Sequence, residues 1–340
     1  MLSKIIKEEA ITHSWKLLKA HNNIVIITHI SPDGDALGSA LGLYWFLTEL
    51  EKEVTVVVPN PFPNFLKWLE GSERIVIYTE DKPAAEQVVR EAELIFYLDF
   101  NTLNRIDGLK TAALDAPAAK ILIDHHPKPD LLCNVKISHP EVSSTSELIF
   151  RFICRLKMFQ KLTKTAAECI YTGMMTDTGN FSFNSQSPEI YSIIHELLLL
   201  GINKDEIYNK VYNTYSADRM RLMGYALSKK MKIYPEQKAA VISLTLSELE
   251  QFNYQVGDSE GFVNIPLSIE NIEISVFVRQ DKDKIKISFR SQGNFPVNKM
   301  AEDFNGGGHL NAAGGESYLP ITKMLEKIEE AVLNREKYEV

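Results

Sequence analysis

The sequence predicts an α/β protein: a mainly parallel sheet with flanking helices, then a smaller α+β domain at the C-terminal end, with a cleft between the two. Three observations predict this. Short apolar runs such as Ile24-Val25-Ile26-Ile27 and residues 94–98 (LIFYL) alternate with segments of helical spacing through the first half of the chain, as strands of a parallel sheet buried on both faces do. Past residue 229 the pattern becomes strand-rich, with candidates at 239–244, 272–279 and 284–290. With 340 residues, 45% of them hydrophobic, the chain is long enough for two domains. The expected division is a first domain over 1–190, a helical linker over 191–228 and a second domain over 229–340.

Taken in order, residues 3–20 place Ile5, Ile6, Ala10, Ile11, Trp15, Leu17 and Leu18 at spacings of three and four, which predicts an amphipathic helix. The strand at 24–27 ends in Thr28-His29-Ile30-Ser31-Pro32-Asp33-Gly34-Asp35-Ala36, and an Ala-, Leu- and Gly-rich helix follows over 36–50. Asp33-Gly34-Asp35 reads as a turn with a helix cap. It reads equally as a pair of metal-ligating carboxylates beside His29, with Gly34 freeing the backbone between them.

Further strands are expected at 54–58, near 74–77, at 94–98 and at 120–123. The strand at 94–98 runs into Asp99, which either caps the next helix or points to the carboxyl edge of the sheet. Residues 120–123 run into Asp124-His125-His126, either a hydrogen-bonded trio or part of a metal site. Open α/β sheets put their ligands at such strand ends.

Ser144 and Glu147 match the S-x-x-E capping box ahead of a helix at 147–159, although a hydroxyl-rich helix start can also hold phosphate. A helix over 163–176 ends at Asp177, where Gly179 supplies a stop. An acidic residue there opposes the helix dipole and favours a compensating cation. Residues 187–229 read as helices broken near Gly201 and Tyr215-Ser216. In the second domain, the strand ending at Arg290-Ser291 leads to a helix at 297–303 and then to Asn305-Gly306-Gly307-Gly308-His309. This loop can be a turn, with Asn305-Gly306 making a hairpin. It can also let backbone amides approach an anion beside Arg290 and His309.

Composition narrows the function. A formal net charge of −8 argues against a broad basic face for long duplex nucleic acid, while a short anionic substrate held by a local cluster stays open. Cys133, Cys154 and Cys169 form no C-x-x-C pair, which fits a reducing, cytoplasmic setting. No apolar run is long enough for a membrane span.

His29, Asp33, Asp35, Asp99, His125 and Asp177 all fall at the ends of apolar segments. Four carboxylates drawn together in a partly desolvated cleft repel one another, so positive charge must sit among them. Two divalent cations match four aspartates charge for charge. Such a pair, roughly 3.5–4 Å apart, lowers the pKa of water and stabilises both oxygens of an in-line displacement at phosphorus. The reaction class implied is phosphoester or phosphoanhydride hydrolysis.

These residues resemble the DHH phosphoesterase superfamily. Thr28-His29 with Asp33-Gly34-Asp35-Ala36, then Asp99, Asp124-His125-His126 and Asp177-Thr178-Gly179, look like its four ordered motifs. Arg290-Ser291 and Gly306-Gly307-Gly308-His309 resemble its smaller associated C-terminal domain, which binds the substrate end. The resemblance implies one manganese ion on His29, Asp33 and Asp99 and a second on Asp35, Asp99, His125 and Asp177, with Asp99 as the bridge. It further implies that His126 meets the scissile phosphate or assists proton transfer and that Asp124 orients a neighbouring His. Ser144, Arg290, Ser291, Gly306, Gly307, Gly308 and His309 are the candidate substrate contacts.

Within the superfamily the compact two-domain form is similar to the nanoRNase and 3′,5′-bisphosphonucleotide (pAp) phosphatase group. That implies short RNA oligonucleotides or nucleotide bisphosphates as substrates and no membrane, and it leaves a homodimer open. Linear or cyclic dinucleotide phosphodiesterase is the close alternative, and a non-catalytic, metal-dependent nucleotide sensor is the reading from another class.

Overall fold

The computed structural model describes residues 3–339. Among these described residues the chain divides into two compact units, the first ending at Thr214 and the second beginning at Tyr215. In the first unit α1 (Glu8–Ala20) leads to β1 (Asn23–Ile27), α2 (Gly34–Thr48), β2 (Glu53–Val58), β3 (Val76–Ile77), α3 (Lys82–Glu91) and β4 (Leu94–Leu98). Then come α4 (Leu109–Asp115), β5 (Ala119–Asp124), β6 (Val135–Ser138), α5 (Thr145–Arg155), α6 (Lys164–Asp177), α7 (Pro188–Leu199) and α8 (Lys204–Tyr212).

The strands join in the order β3-β2-β1-β4-β5-β6 among the described residues, and every pairing is parallel. The apolar runs that predicted β1 and β4 are buried on both faces. Ile24 and Ile26 face the core under α2, while Val25 and Ile27 face the one under α3 and α4. The edge strand β6 escaped the sequence reading. Its four residues alternate, with Val135 and Ile137 buried and Lys136 exposed, too brief a pattern to stand out from a loop.

Cap chemistry sets the helix starts. Asp33 accepts from the Asp35 and Ala36 amides at the head of α2, Thr163 from Ala166 at α6, and Ser187 precedes Pro188 at α7. The helix expected at 147–159 starts earlier, at Thr145, and ends at Arg155. Ser144 accepts from the Glu147 amide as its cap. Glu147 departs from the capping box: its carboxylate takes the Ser143 amide and hydroxyl and the buried Arg151.

The helices expected as a linker divide between the units. Ile190, Ile193, Leu197, Ile207 and Val211 of α7 and α8 belong to the large core of the first unit. In the second unit α9 (Ala217–Tyr225) packs with Leu222 among Ile242, Leu244 and Phe277. It is followed by β7 (Met231–Tyr234), β8 (Ala239–Leu244), α10 (Leu246–Gln251), β9 (Ile274–Gln280) and β10 (Ile285–Ser291). The chain then runs through α11 (Val297–Glu302), β11 (Gly307–Gly308), β12 (Ala312–Ser317) and α12 (Ile321–Leu333). The sheet order is β11-β12-β10-β9-β8-β7, mixed, with β8 and β9 parallel.

The hairpin expected at Asn305-Gly306 turns elsewhere. His309 and Ala312 exchange backbone hydrogen bonds at 2.8 and 3.3 Å, so the reversal lies between β11 and β12. Strand β12 (AAGGES) carries little β-propensity. It forms because glycine permits contact that a side chain would block: a Cβ at Gly315 would lie 2.6 Å from the Phe304 carbonyl oxygen.

One close helix pair positions the first unit's strand-end loops. A Cβ on Gly38 of α2 would lie 2.6 Å from the Cys169 carbonyl oxygen and 2.7 Å from the Gly173 amide nitrogen of α6. Gly34 and Gly42, one turn to either side, lie instead against the Thr176 and Ile170 side chains. The spacing of four puts these glycines on one stripe, and the helices close backbone to backbone. The N-terminus of α2, with Asp35, is thereby held against the C-terminus of α6, with Asp177. Gly38→Ala is expected to destabilise the chain by about 1–3 kcal/mol through overpacking, read as a lowered melting temperature; an unchanged melt would show that the contact is slack.

Candidate metal centre

Strands β1, β4 and β5 are neighbours, and the chain leaves β1 toward β2 on one side while β4 lies on the other. This is the switch point of a doubly wound sheet, where the carboxyl ends of the strands leave a crevice. His29 follows β1, Asp99 follows β4, and Asp124-His125-His126 ends β5. From the helical layer α2 adds Asp33 and Asp35, and α6 adds Asp177.

Asp99 lies between two groups. Its Oδ2 is 3.4 Å from His29 Nε2, which is also 3.9 Å from Asp33 Oδ2. Its Oδ1 is 3.6 Å from His125 Nε2, which in turn lies 3.4 Å from Asp177 Oδ2 and 3.9 Å from Asp35 Oδ2. His29, Asp33 and Asp99 form one set able to hold a metal ion, and Asp35, His125 and Asp177 another. The backbone at Asp99 has φ +65°, a left-handed conformation that costs a non-glycine residue about 1–3 kcal/mol and persists where the surroundings impose it. Asp99 does not cap the next helical turn; Thr102 does.

The start of α5 holds the carboxylates in register. The Thr145 and Ser146 amides donate to the two oxygens of Asp35 at 2.6 and 2.9 Å, and the Thr145 hydroxyl donates to Asp99 Oδ1 at 2.9 Å. Sequence reasoning singled out this hydroxyl-rich helix start as a cap and a possible phosphate seat. It missed Thr145 and Ser146, whose partners lie more than a hundred residues away in one case. The positive end of α5 is occupied by the protein's own carboxylate.

The protonation pattern shows what the cluster lacks. His29 Nδ1 donates to the Ile30 carbonyl at 2.8 Å, so Nε2 turns its lone pair toward Asp33 and Asp99. Burial first, and then the charge of Arg105, push the His29 imidazole down to about 4. Burial above all, followed by the charges of Asp35, Asp33, Asp177 and Asp124, raises the Asp99 carboxyl well above the usual range, and burial also raises Asp35. At Asp33 burial is outweighed by His29, the Ala36 amide and Arg105, and the carboxyl is held low. At His125 burial is outweighed by Asp177, Asp35 and Asp124, so the ring holds its proton more strongly. Nitrogen and oxygen donors converge in two sets, suited to borderline divalent cations once their protons leave.

His126 Nδ1 donates to the fully buried Asp124 at 2.8 Å, which fixes the ring. Burial, then His125 and Arg105, keep it well below the ordinary imidazole range. Ser144 is buried and spends its hydroxyl on the α5 cap.

In the second unit Arg290 sits on β10 opposite Ala312, and its Nη1 donates to the Phe289 carbonyl at 3.0 Å. Ser291 donates its hydroxyl to the Phe295 carbonyl and accepts from Asn311, stitching the loop together. Gly306 and Gly308 are required by the hairpin itself, since a Cβ at either would strike the carbonyl of Gly314 or Ala312. Gly307 has open space where a side chain would stand. His309 begins the hairpin turn.

Residues 23–174 match the DHH family, N-terminal domain, and residues 237–334 match the DHHA1 domain. The bifunctional oligoribonuclease and PAP phosphatase NrnA of Thermus thermophilus is 30% identical over 319 residues, which is 93% of this chain and 91% of that one. A crystal structure of an exopolyphosphatase-related protein from Bacteroides fragilis is 54% identical, with a TM-score of 0.92 over 99% of this chain and 98% of that chain. The Thermus thermophilus RecJ structure with Mn²⁺ shares the fold at a TM-score of 0.56 and 14% identity, covering 97% of this chain and 55% of that one. Fold, site and matches define the class, a phosphoester hydrolase. The chain belongs to the DHH family and carries the DHHA1 domain after it.

A divalent cation entering this cluster displaces protons, because Asp99 and His125 both hold theirs above the ordinary range. Binding of a divalent cation is therefore expected to release protons and to weaken as pH falls toward and below the ordinary imidazole value. Calorimetry in buffers of different ionisation enthalpy measures the release; a binding heat independent of buffer contradicts it.

Proposed function

We propose that this chain is a cytoplasmic two-metal phosphoesterase that hydrolyses short oligoribonucleotides to mononucleotides and pAp to AMP. The observation that carries this reading is the continuous match to the Thermus thermophilus bifunctional oligoribonuclease and PAP phosphatase across both domains. Free thiols at Cys133, Cys154 and Cys169 agree with a reducing compartment, and among the described residues no helix is long and apolar enough to cross a membrane.

In this reading His29 and Asp33 would hold one ion and Asp35, His125 and Asp177 another, with Asp99 standing between the two sets. A pair taken to be Mn²⁺ would offset the carboxylate charge and supply a water acidic enough to attack phosphorus. His126 meets the scissile phosphate, and Asp124 keeps its ring oriented with Nδ1 protonated. Thr145 limits rotation of the Asp99 carboxylate. In the DHHA1 domain Arg290, Gly307 and His309 are the candidate contacts for a short anion, which needs no extended basic track.

The deciding assay offers Mn²⁺-loaded protein the dinucleotide pApA, pAp, cyclic di-AMP, pyrophosphate, inorganic polyphosphate and a long single-stranded RNA side by side. Turnover of pApA and pAp ahead of the others is expected. Turnover confined to polyphosphate would move this chain toward the activity named for its Bacteroides fragilis relative. Cleavage of cyclic di-AMP alone would favour a cyclic dinucleotide phosphodiesterase, and binding without turnover a sensor.

Two substitutions separate the roles. Asp99→Asn should lower activity by more than the roughly 10–100-fold caused by losing a partner outside the ligand set, with the melt of the metal-free protein little changed. Arg290→Ala should raise KM by about 10–150-fold, the worth of a charged hydrogen bond of roughly 1.5–3 kcal/mol, while metal content stays constant. Near-normal turnover in the first, or metal loss in the second, would contradict this division.

A further inference from the structure

Arg105 belongs to neither the ligand set nor the DHHA1 contacts. It stands in the short turn Leu103–Ile106 that follows Asp99 and is capped by Thr102. Its carbonyl oxygen accepts from the Ile30 amide at 2.7 Å, and the Ile30 carbonyl in turn takes the His29 ring proton. The turn is thus tied by backbone to the loop that carries His29. That anchoring needs only the peptide of Arg105.

The guanidinium has a separate place. Its positive charge acts on His29, Asp33 and His126, yet no hydrogen bond or salt bridge among the described residues holds it. It is half-buried. A guanidinium whose task was to neutralise the aspartates would lie in contact with them, as Arg151 does with Glu147 and Glu189. Arg105 is within electrostatic reach of the crowd and makes no such pair.

Charge arithmetic gives this a direction. Once two divalent ions balance the four aspartates, a nearby guanidinium adds positive charge without a local counterion. It becomes favourable when an anion enters between it and the metals. The planar fork of Arg fits two phosphoryl oxygens, and it stays charged at any working pH.

We propose that Arg105 is a catalytic residue of the DHH domain that grips the phosphoryl group at the reacting centre. It binds oxygens of that group and balances the charge gathered on them during displacement. This rests on the two-metal phosphoesterase reading above and holds for any phosphate ester or anhydride substrate.

Arg105→Ala and Arg105→Lys are compared with the wild type, each loaded with Mn²⁺, on pApA and pAp, together with elemental metal content, melting temperature and calorimetric binding of inorganic phosphate. The proposal expects metal content and melt to match the wild type, since the Ile30 tie is made by backbone. It expects kcat/KM to fall by about 10²-fold or more in Arg105→Ala and phosphate binding to weaken. Partial recovery is expected in Arg105→Lys, which keeps the charge and loses the fork. Arg105→Ala within about twofold of wild type in kcat and KM would overturn it, as would loss of metal in place of loss of phosphate binding. Should Arg105→Ala fold poorly, Arg105→Gln keeps the stem and a polar head and is judged by the same criteria. A wild type inert toward both nucleotides sinks the substrate assignment alone; Arg105 is then tested on whichever phosphate compound the enzyme does cleave.

Discussion

Like charge forced together in a dry place is the constraint on which the first unit depends. Asp99 is almost fully buried, and each of its oxygens faces a different imidazole at 3.4 and 3.6 Å. An isolated carboxylate in such surroundings keeps its proton. The fold spends a strained backbone angle and a threonine hydroxyl on holding it there. The geometry is built for positive charge on both sides of one carboxylate.

The means of assembly are elementary. Apolar β-branched runs make a parallel sheet whose strand ends open at one edge, and the order of the strands sets the ends of β1, β4 and β5 side by side. Glycines spaced by four on α2 let α6 approach until backbones touch, which brings Asp35 and Asp177 to that edge. The N-terminus of α5 points two amides at Asp35. At Gly173 the three helices meet so tightly that a methyl group would collide with the Ser146 hydroxyl. Stability and chemistry therefore share the same contacts, and a substitution far from the carboxylates in sequence can still misplace them.

Much of this was legible in the sequence. His29, Asp99 and His125 each follow a short apolar run, and a run buried on both faces has its polar residue at the strand end or nowhere. The two readings of Asp33, cap and ligand, turn out to be compatible: one oxygen takes the α2 amides and the other faces His29. Legibility failed where a residue's part is set by partners distant in sequence. Thr145 and Ser146 look like any helix start, and β12 like a glycine turn. Short edge strands such as β6 and β11 carry too few residues to show a period. Ser144 shows the opposite case, a polar residue in a promising motif whose hydroxyl is spent on its own helix.

Crystals of the Mn²⁺-loaded protein measured at the manganese absorption edge test the central claim most directly. Two anomalous peaks roughly 3.5–4 Å apart, with the Asp99 carboxylate spanning them, are the predicted result. A single peak, or two peaks with Asp99 bound to one alone, would contradict the account.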